Sequence, residues 1–162
     1  MSLENPPTET SLDESGNGRL RILLVDDDLN DSSFFHIAVR KSALRIALQT
    51  VMDGGLAIDY LEGRGPYADR SLYPLPDVVV LDLAMHLSGG LAFLQWRRAS
   101  ASFSSLPVVI FSGFAYKGAI DAALAMGANC FIAKPFQLDA WIPVIRQIWQ
   151  FAAECLQPDP SI

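Results

Sequence analysis

The sequence predicts an α/β fold, a doubly wound five-stranded parallel sheet with helices on both faces. Two observations carry this expectation. Strand-like and helix-like patterns alternate five times along the chain, and the strand segments are largely apolar runs such as RILLV, VVVL and PVVIF. Runs of that kind belong to strands covered on both faces, which alternating β and α segments produce.

RILLV, Arg21 to Val25, reads as the first strand. Ser32 to Ser42 follows as a helix, with Phe34, Phe35, Ala38 and Val39 at helical spacing. RIALQTVM is the second strand, and the next helix runs through Leu56, Ala57, Tyr60 and Leu61. VVVLDL is the third strand and GLAFLQWRRAS its helix. PVVIFS is the fourth, followed by AYKGAIDAALAM with Gly127 as a C-terminal stop. NCFIA is the fifth, and a final helix spans about Leu138 to Leu156.

Outside that body, residues 1–18 are rich in Pro, Ser, Thr, Glu and Gly and are expected to be a disordered tail. QPDPSI, residues 157–162, is a comparable stub, leaving one domain over 19–156. Of 162 residues, 51% are apolar and 19% charged, which excludes a disordered chain. A net charge of −6 argues against nucleic-acid binding. No apolar run is long enough for a bilayer, so no membrane association is expected, and the N-terminus lacks the basic and apolar regions of a signal peptide. Cys130 and Cys155 form no metal or redox pattern and read as packed, reduced thiols. A cytoplasmic protein is therefore expected.

The run VVVL ends in a carboxylate, Asp82, and more apolar residues follow. Burying an ionised carboxylate is costly unless something pairs with it. In doubly wound sheets, ligands bind outside the carboxyl ends of the strands. Strand one ends in Asp26, Asp27 and Asp28, strand three in Asp82, strand four in Ser112 and strand five in Lys134. Clustered carboxylates repel one another unless a cation is present. An all-oxygen set of this hardness suits Mg²⁺, which retains waters and leaves room for a phosphoryl group. Lys134 offers a second positive charge to phosphoryl oxygens. Asp82 then makes sense as a nucleophile, because carboxylates form aspartyl-phosphate intermediates.

ILLVDDDLND, VVVLDLAMHLSGG, PVVIFSG and GANCFIAKPF occur in this order and at these strand ends, and together they resemble the receiver domain of two-component response regulators over about residues 20 to 155. The resemblance implies a flavodoxin-like strand order 2-1-3-4-5. It implies that Asp27 ligates Mg²⁺ directly, that Asp26 holds metal-bound waters or the lysine, and that Ala84 offers its backbone carbonyl. Asp82 would be the phosphoacceptor, Ser112 the hydroxyl that follows the phosphoryl group, and Lys134 its cationic partner, with a cis Lys134–Pro135 bond. Phe131 stands where the family has its switch aromatic. The implied partners are a sensor histidine kinase and a downstream protein effector. LEGRGPYADR, Leu61 to Arg70, resembles the longer loop of single-domain regulators that partner bacterial phytochrome-type kinases.

Plainer roles exist for these residues. Asp28 suits a helix N-cap, Ser112 a turn and Phe131 the core, while His36 and His86 suit the surface or a loop. His86, Gly89 and Ala84 depart from the family's usual Pro, Asp or Asn, and polar residue, but no phosphorylation residue is lost. Two other functions compete: a degenerate receiver acting only as a binding module, and a phosphatase of the haloacid dehalogenase type. For the second, Asp26 to Asp28 imitate a D-x-D motif, but Leu29 and Asn30 fit poorly and no acidic pair follows Lys134. The favoured expectation is a stand-alone receiver, not an enzyme beyond its own phosphorylation chemistry. Two further expectations concern its behaviour. The final helix carries a wider apolar set than one sheet face needs, pointing to a surplus face, with Trp149 or Phe151, that pairs two copies or docks a partner; the plainer reading is a helix covered by the N-terminal tail. Ala84 and Phe114 stand where receivers place water-orienting side chains, pointing to a long-lived phosphoryl state.

Overall fold

A computed structural model describes residues 18–85, 89–113 and 116–157. The expected disordered tail falls almost wholly on residues outside that set, as do His86 and Phe114. The described chain alternates β1 (Leu20–Val25), α1 (Leu29–Lys41), β2 (Ile46–Val51), α2 (Gly54–Glu62), β3 (Val78–Leu81), α3 (Gly89–Ala99), β4 (Val108–Ser112), α4 (Lys117–Ala125), β5 (Cys130–Ala133) and α5 (Trp141–Leu156). The strands form one parallel sheet in the order β2-β1-β3-β4-β5, as expected.

Two helix starts differ from the sequence expectation, each for a local reason. α1 begins at Leu29 because Asp28 caps it, its side chain accepting from the backbone N–H groups of Asn30 and Asp31. α5 begins at Trp141, after a 3-10 turn over Leu138–Ala140. That start puts Pro143 in the first helical turn, where its missing N–H would have had no partner anyway. A helix running from Leu138 would instead place Pro143 in its interior.

Alternate strand residues feed two separate cores. Ile22, Leu24, Val78, Val80, Val109 and Phe111 pack with Phe35 and Ala38 of α1 and Ile145, Ile148 and Ala152 of α5. Leu23, Val25, Val79, Leu81, Val108 and Ile110 pack on the other face with residues of α2, α3 and α4. Every residue of β3 is buried, since it lies between β1 and β4 and beneath helices on both sides. Where α2 and α3 meet, Gly54 and Gly89 bring backbone against backbone: a methyl group on Gly54 would strike the Gly89 carbonyl oxygen. No helix among the described residues is long and apolar enough to cross a membrane.

The 61–70 loop is tied down by Arg70. Its guanidinium donates to the carbonyls of Tyr60 (2.8 Å), Leu61 (2.7 Å) and Tyr73 (3.2 Å), neutralising the C-terminal end of α2. One thiol departs from expectation. Cys130 is half-buried, but Cys155 is exposed, near the end of a helix whose core-facing residues are Trp141, Ile145, Ile148 and Ala152.

Candidate functional site

β3 is flanked by two buried aspartates in opposite situations. Asp77 precedes it and is paired with Arg21, whose Nη2 donates to Oδ1 at 2.9 Å and whose backbone N–H donates to Oδ2 at 2.8 Å. Asp82 follows it at the carboxyl edge. Strand register decides what Asp82 meets there. Val25 lies opposite Leu81, so Asp26 and Asp82 leave neighbouring strands side by side. The backbone N–H of Asp82 donates to the Val25 carbonyl at 3.0 Å, and that of Asp26 to the Val51 carbonyl at 3.1 Å. Two buried carboxylates thus sit together because two apolar strands end at the same level.

Lys134 supplies the countercharge from the end of β5. Its ammonium donates to Asp26 Oδ2 at 2.7 Å, Asp31 Oδ2 at 2.8 Å and Asp82 Oδ2 at 2.9 Å. The three N–H bonds of the ammonium match these three acceptors one for one. The Lys134 side chain is 8% exposed and those of Asp26 and Asp82 are 1% and 6%, so these pairs are shielded from solvent screening. Nζ also lies 5.9 Å from the centroid of the Phe111 ring. Burial raises the Asp26 carboxyl to about 6, although the lysine and the Asp28 N–H each pull it back down. Burial works to lower the Lys134 ammonium, but three carboxylates outweigh it and hold the group above its ordinary value.

One oxygen each from Asp26, Asp27 and Asp82 lie within 4.8 Å of one another, a set able to hold a hard cation. Beside it lies a cavity of about 320 Å³ lined by Asp27, Asp28, Asp31, Asp82, Ala84, Gly113, Lys134, Pro135 and Phe136. Ser112, at the end of β4, is fully buried and its Oγ has no hydrogen-bond partner among the described residues. Such an orphan costs roughly 1–3 kcal/mol unless another group satisfies it. Oxygen-only ligands, a buried ammonium and an unpaired hydroxyl at one strand edge suit Mg²⁺ together with a phosphoryl group.

Asp26, Asp27, Asp82 and Lys134 come together, with Ser112 at the same edge. Ala84 lines the cavity, and its N–H donates to Asp82 Oδ1 at 2.9 Å. Asp28 reaches the cavity wall, but its side chain is committed to capping α1. Phe131 is half-buried against the α2–α3–α4 core; it lies opposite Ile110, on the face that Ser112 also takes two residues on. His36 is exposed and shares a 3.1 Å hydrogen bond with Thr50 Oγ1. The expected cis Lys134–Pro135 bond is a correction: no peptide among the described residues is cis. Lys134 reaches all three carboxylates through a trans bond, intrinsically the favoured isomer by about 0.5–1 kcal/mol.

Asp31 was not among the site residues expected from sequence. Strand ends pointed to the others, whereas Asp31 lies inside α1. The signal available was proximity: Asp31 lies five residues after Asp26, in the first turn of the helix that leaves the carboxyl end of β1.

A family model described as "Response regulator receiver domain" matches residues 22–146. The response regulator Rcp1 of Synechocystis sp. is 25% identical over 142 residues, which cover 88% of this chain and 94% of Rcp1. The two-component response regulator ARR15 of Arabidopsis thaliana is 29% identical over 130 residues, 80% of this chain but only 62% of ARR15. Among solved structures, the phosphorylated cyanobacterial phytochrome response regulator RcpA superposes with a TM-score of 0.76 at 26% identity, covering 86% of this chain and 98% of that one.

Proposed function

This chain belongs to the response regulator receiver family, and from that premise we propose that it accepts a phosphoryl group from a sensor histidine kinase on Asp82, with Mg²⁺, and signals through protein contacts. The observation that carries the reading is the Lys134 ammonium, bonded at once to Asp82 and Asp26 beside three carboxylate oxygens close enough to share one cation. Asp82 attacks phosphorus with one carboxylate oxygen as the bond to the donor nitrogen breaks. Attack by one anion on another needs neutralisation, and Lys134 donates to the phosphoryl oxygens it meets. Bound Mg²⁺ would add charge neutralisation at the same oxygens. Ser112 then has an acceptor for its unpaired hydroxyl, and Phe131, on the same sheet face, is the candidate switch residue.

A stand-alone cytoplasmic regulator that catalyses only its own phosphorylation and dephosphorylation is the form we favour, supported by a similarity that spans nearly all of Rcp1. A phytochrome-type kinase is the favoured donor class, by analogy with RcpA. Intact-mass measurement after incubation with acetyl phosphate and Mg²⁺ tests the function. A single stable adduct is expected; steady release of inorganic phosphate from phosphate esters would indicate a phosphatase, and no reaction a binding module alone.

Cation binding should depend on pH in a stated direction. Burial raises the Asp26 carboxyl to about 6, so at more acid pH it holds a proton that a cation must displace. Mg²⁺ affinity is therefore expected to strengthen as pH rises through about 6 and to level off above it. Calorimetric titration on either side of that value reads this directly, and a flat profile would contradict it.

Self-association is a separate proposal. Part of α5's wide apolar set is spent on α1, where Phe34 meets Trp141 edge to face at 5.8 Å. Val144, Trp149, Phe151 and Leu156 remain half-buried, and we propose that they pair two copies of the chain. Sedimentation should show a concentration-dependent dimer that Phe151→Glu disrupts; monomer alone at high concentration, phosphorylated or not, would refute it.

A further inference from the structure

We propose that Asp31 is a positioning residue that keeps the Lys134 ammonium poised over Asp82 while a cation draws on Asp26. The inference rests on the receiver reading above and adds a residue to it.

Lys134 Nζ bonds three carboxylates, but only two of them, Asp26 and Asp82, belong to the oxygen cluster able to hold a cation. Asp31 is the third partner, at 2.8 Å, and stands outside that cluster. A divalent ion taking oxygens from Asp26 and Asp82 competes with the lysine for both. It also repels an ammonium only a few ångströms away. Asp31, outside the cluster, is the lysine partner for which the ion does not compete.

Its backbone suits it to that task. The Asp31 N–H donates to Asp28 Oδ1 at 3.1 Å, so the residue is fixed in the capped first turn of α1. α1 is anchored to the sheet by the buried Phe35, Ala38 and Val39. Lys134 has a flexible four-carbon stem, and an ammonium released from its partners explores many rotamers. Held by Asp31, it stays beside Asp82, where the incoming phosphoryl oxygens arrive. The Asp31 side chain is 28% exposed against 8% for Lys134, so Asp31 meets the lysine from the more solvent-exposed side of the contact, and both line the cavity.

The test uses the full chain with Asp31→Asn, which keeps shape and removes charge, and Asp31→Glu as the conservative variant. In Mg²⁺, acylation of Lys134 by a small amine-reactive ester, followed by peptide mass mapping, reports how firmly the ammonium is held. Loss of one charge-assisted hydrogen bond should speed that acylation about tenfold in Asp31→Asn, with Asp31→Glu recovering part of the protection. Phosphoryl uptake from acetyl phosphate at saturating Mg²⁺ should slow by a similar factor, while Mg²⁺ affinity changes far less. Equal acylation of Lys134 in wild type and Asp31→Asn overturns the proposal. Faster phosphoryl uptake also overturns it, since Asp31 would then be withholding the lysine. A wild-type protein that takes up no phosphoryl group refutes the receiver function, and the acylation comparison still decides the role of Asp31.

Discussion

Asp82→Asn is expected to lower phosphoryl uptake from acetyl phosphate by about a thousandfold or more, the scale seen when a covalent nucleophile is removed. The amide has the carboxylate's shape but no anionic oxygen to form the bond to phosphorus. Its remaining oxygen can still accept from the Ala84 N–H, which donates to Asp82 Oδ1 at 2.9 Å. Lys134 keeps Asp26 and Asp31 as partners. The variant should therefore fold with a melting temperature close to wild type, separating lost chemistry from lost structure. Uptake at the wild-type level would remove Asp82 from its assigned role.

Lys134→Met is expected to be the most destabilising single change at the site. It takes the cation away from two carboxylates whose side chains are only 1% and 6% exposed. Breaking a buried pair from one side costs about 3–5 kcal/mol, because the remaining charge is left without compensation. The deficit should depend on pH. In the wild type the Asp26 carboxyl is already raised from 3.8 to about 6 by burial, so between those values the folded chain binds more protons than the unfolded chain. The unfavourable contribution of this group is full above about 6 and fades as pH falls toward 3.8. Without Lys134 one of the influences that lowers Asp26 is gone, and the carboxyl rises further. The variant's deficit should therefore be largest at neutral pH and shrink on acidification. Added Mg²⁺ should recover part of it, because binding to the folded state alone stabilises that state. Urea unfolding at neutral and mildly acid pH measures both effects; a deficit below about 1 kcal/mol that ignores pH would show that the lysine does not offset these charges.

Much of this was legible in the sequence because the signals were physical and local. Apolar runs without alternation marked strands covered on both faces, and the strand-end rule gathered Asp26, Asp27, Asp82, Ser112 and Lys134 from segments up to 108 residues apart. Helix starts were less legible, since α1 depends on the Asp28 cap and α5 on where Pro143 can be tolerated. Asp31 escaped because a lone acidic residue in a first helical turn already has a sufficient role beside the helix dipole. Only the folded position of Lys134 shows that its carboxylate faces inward. The Lys134–Pro135 isomer came from family resemblance, and no residue near it carries a local signal for either form.

The residue to which a phosphoryl group attaches decides the function of this site. Wild-type protein incubated with acetyl phosphate in Mg²⁺, then reduced with borohydride and mapped by peptide mass spectrometry, reports the residue that carried an acyl phosphate. The expected result is reduction at Asp82 alone, abolished when a chelator replaces the metal. Reduction at Asp26, Asp27 or Asp31, or labelling at Asp82 that persists in the chelator, would contradict the account.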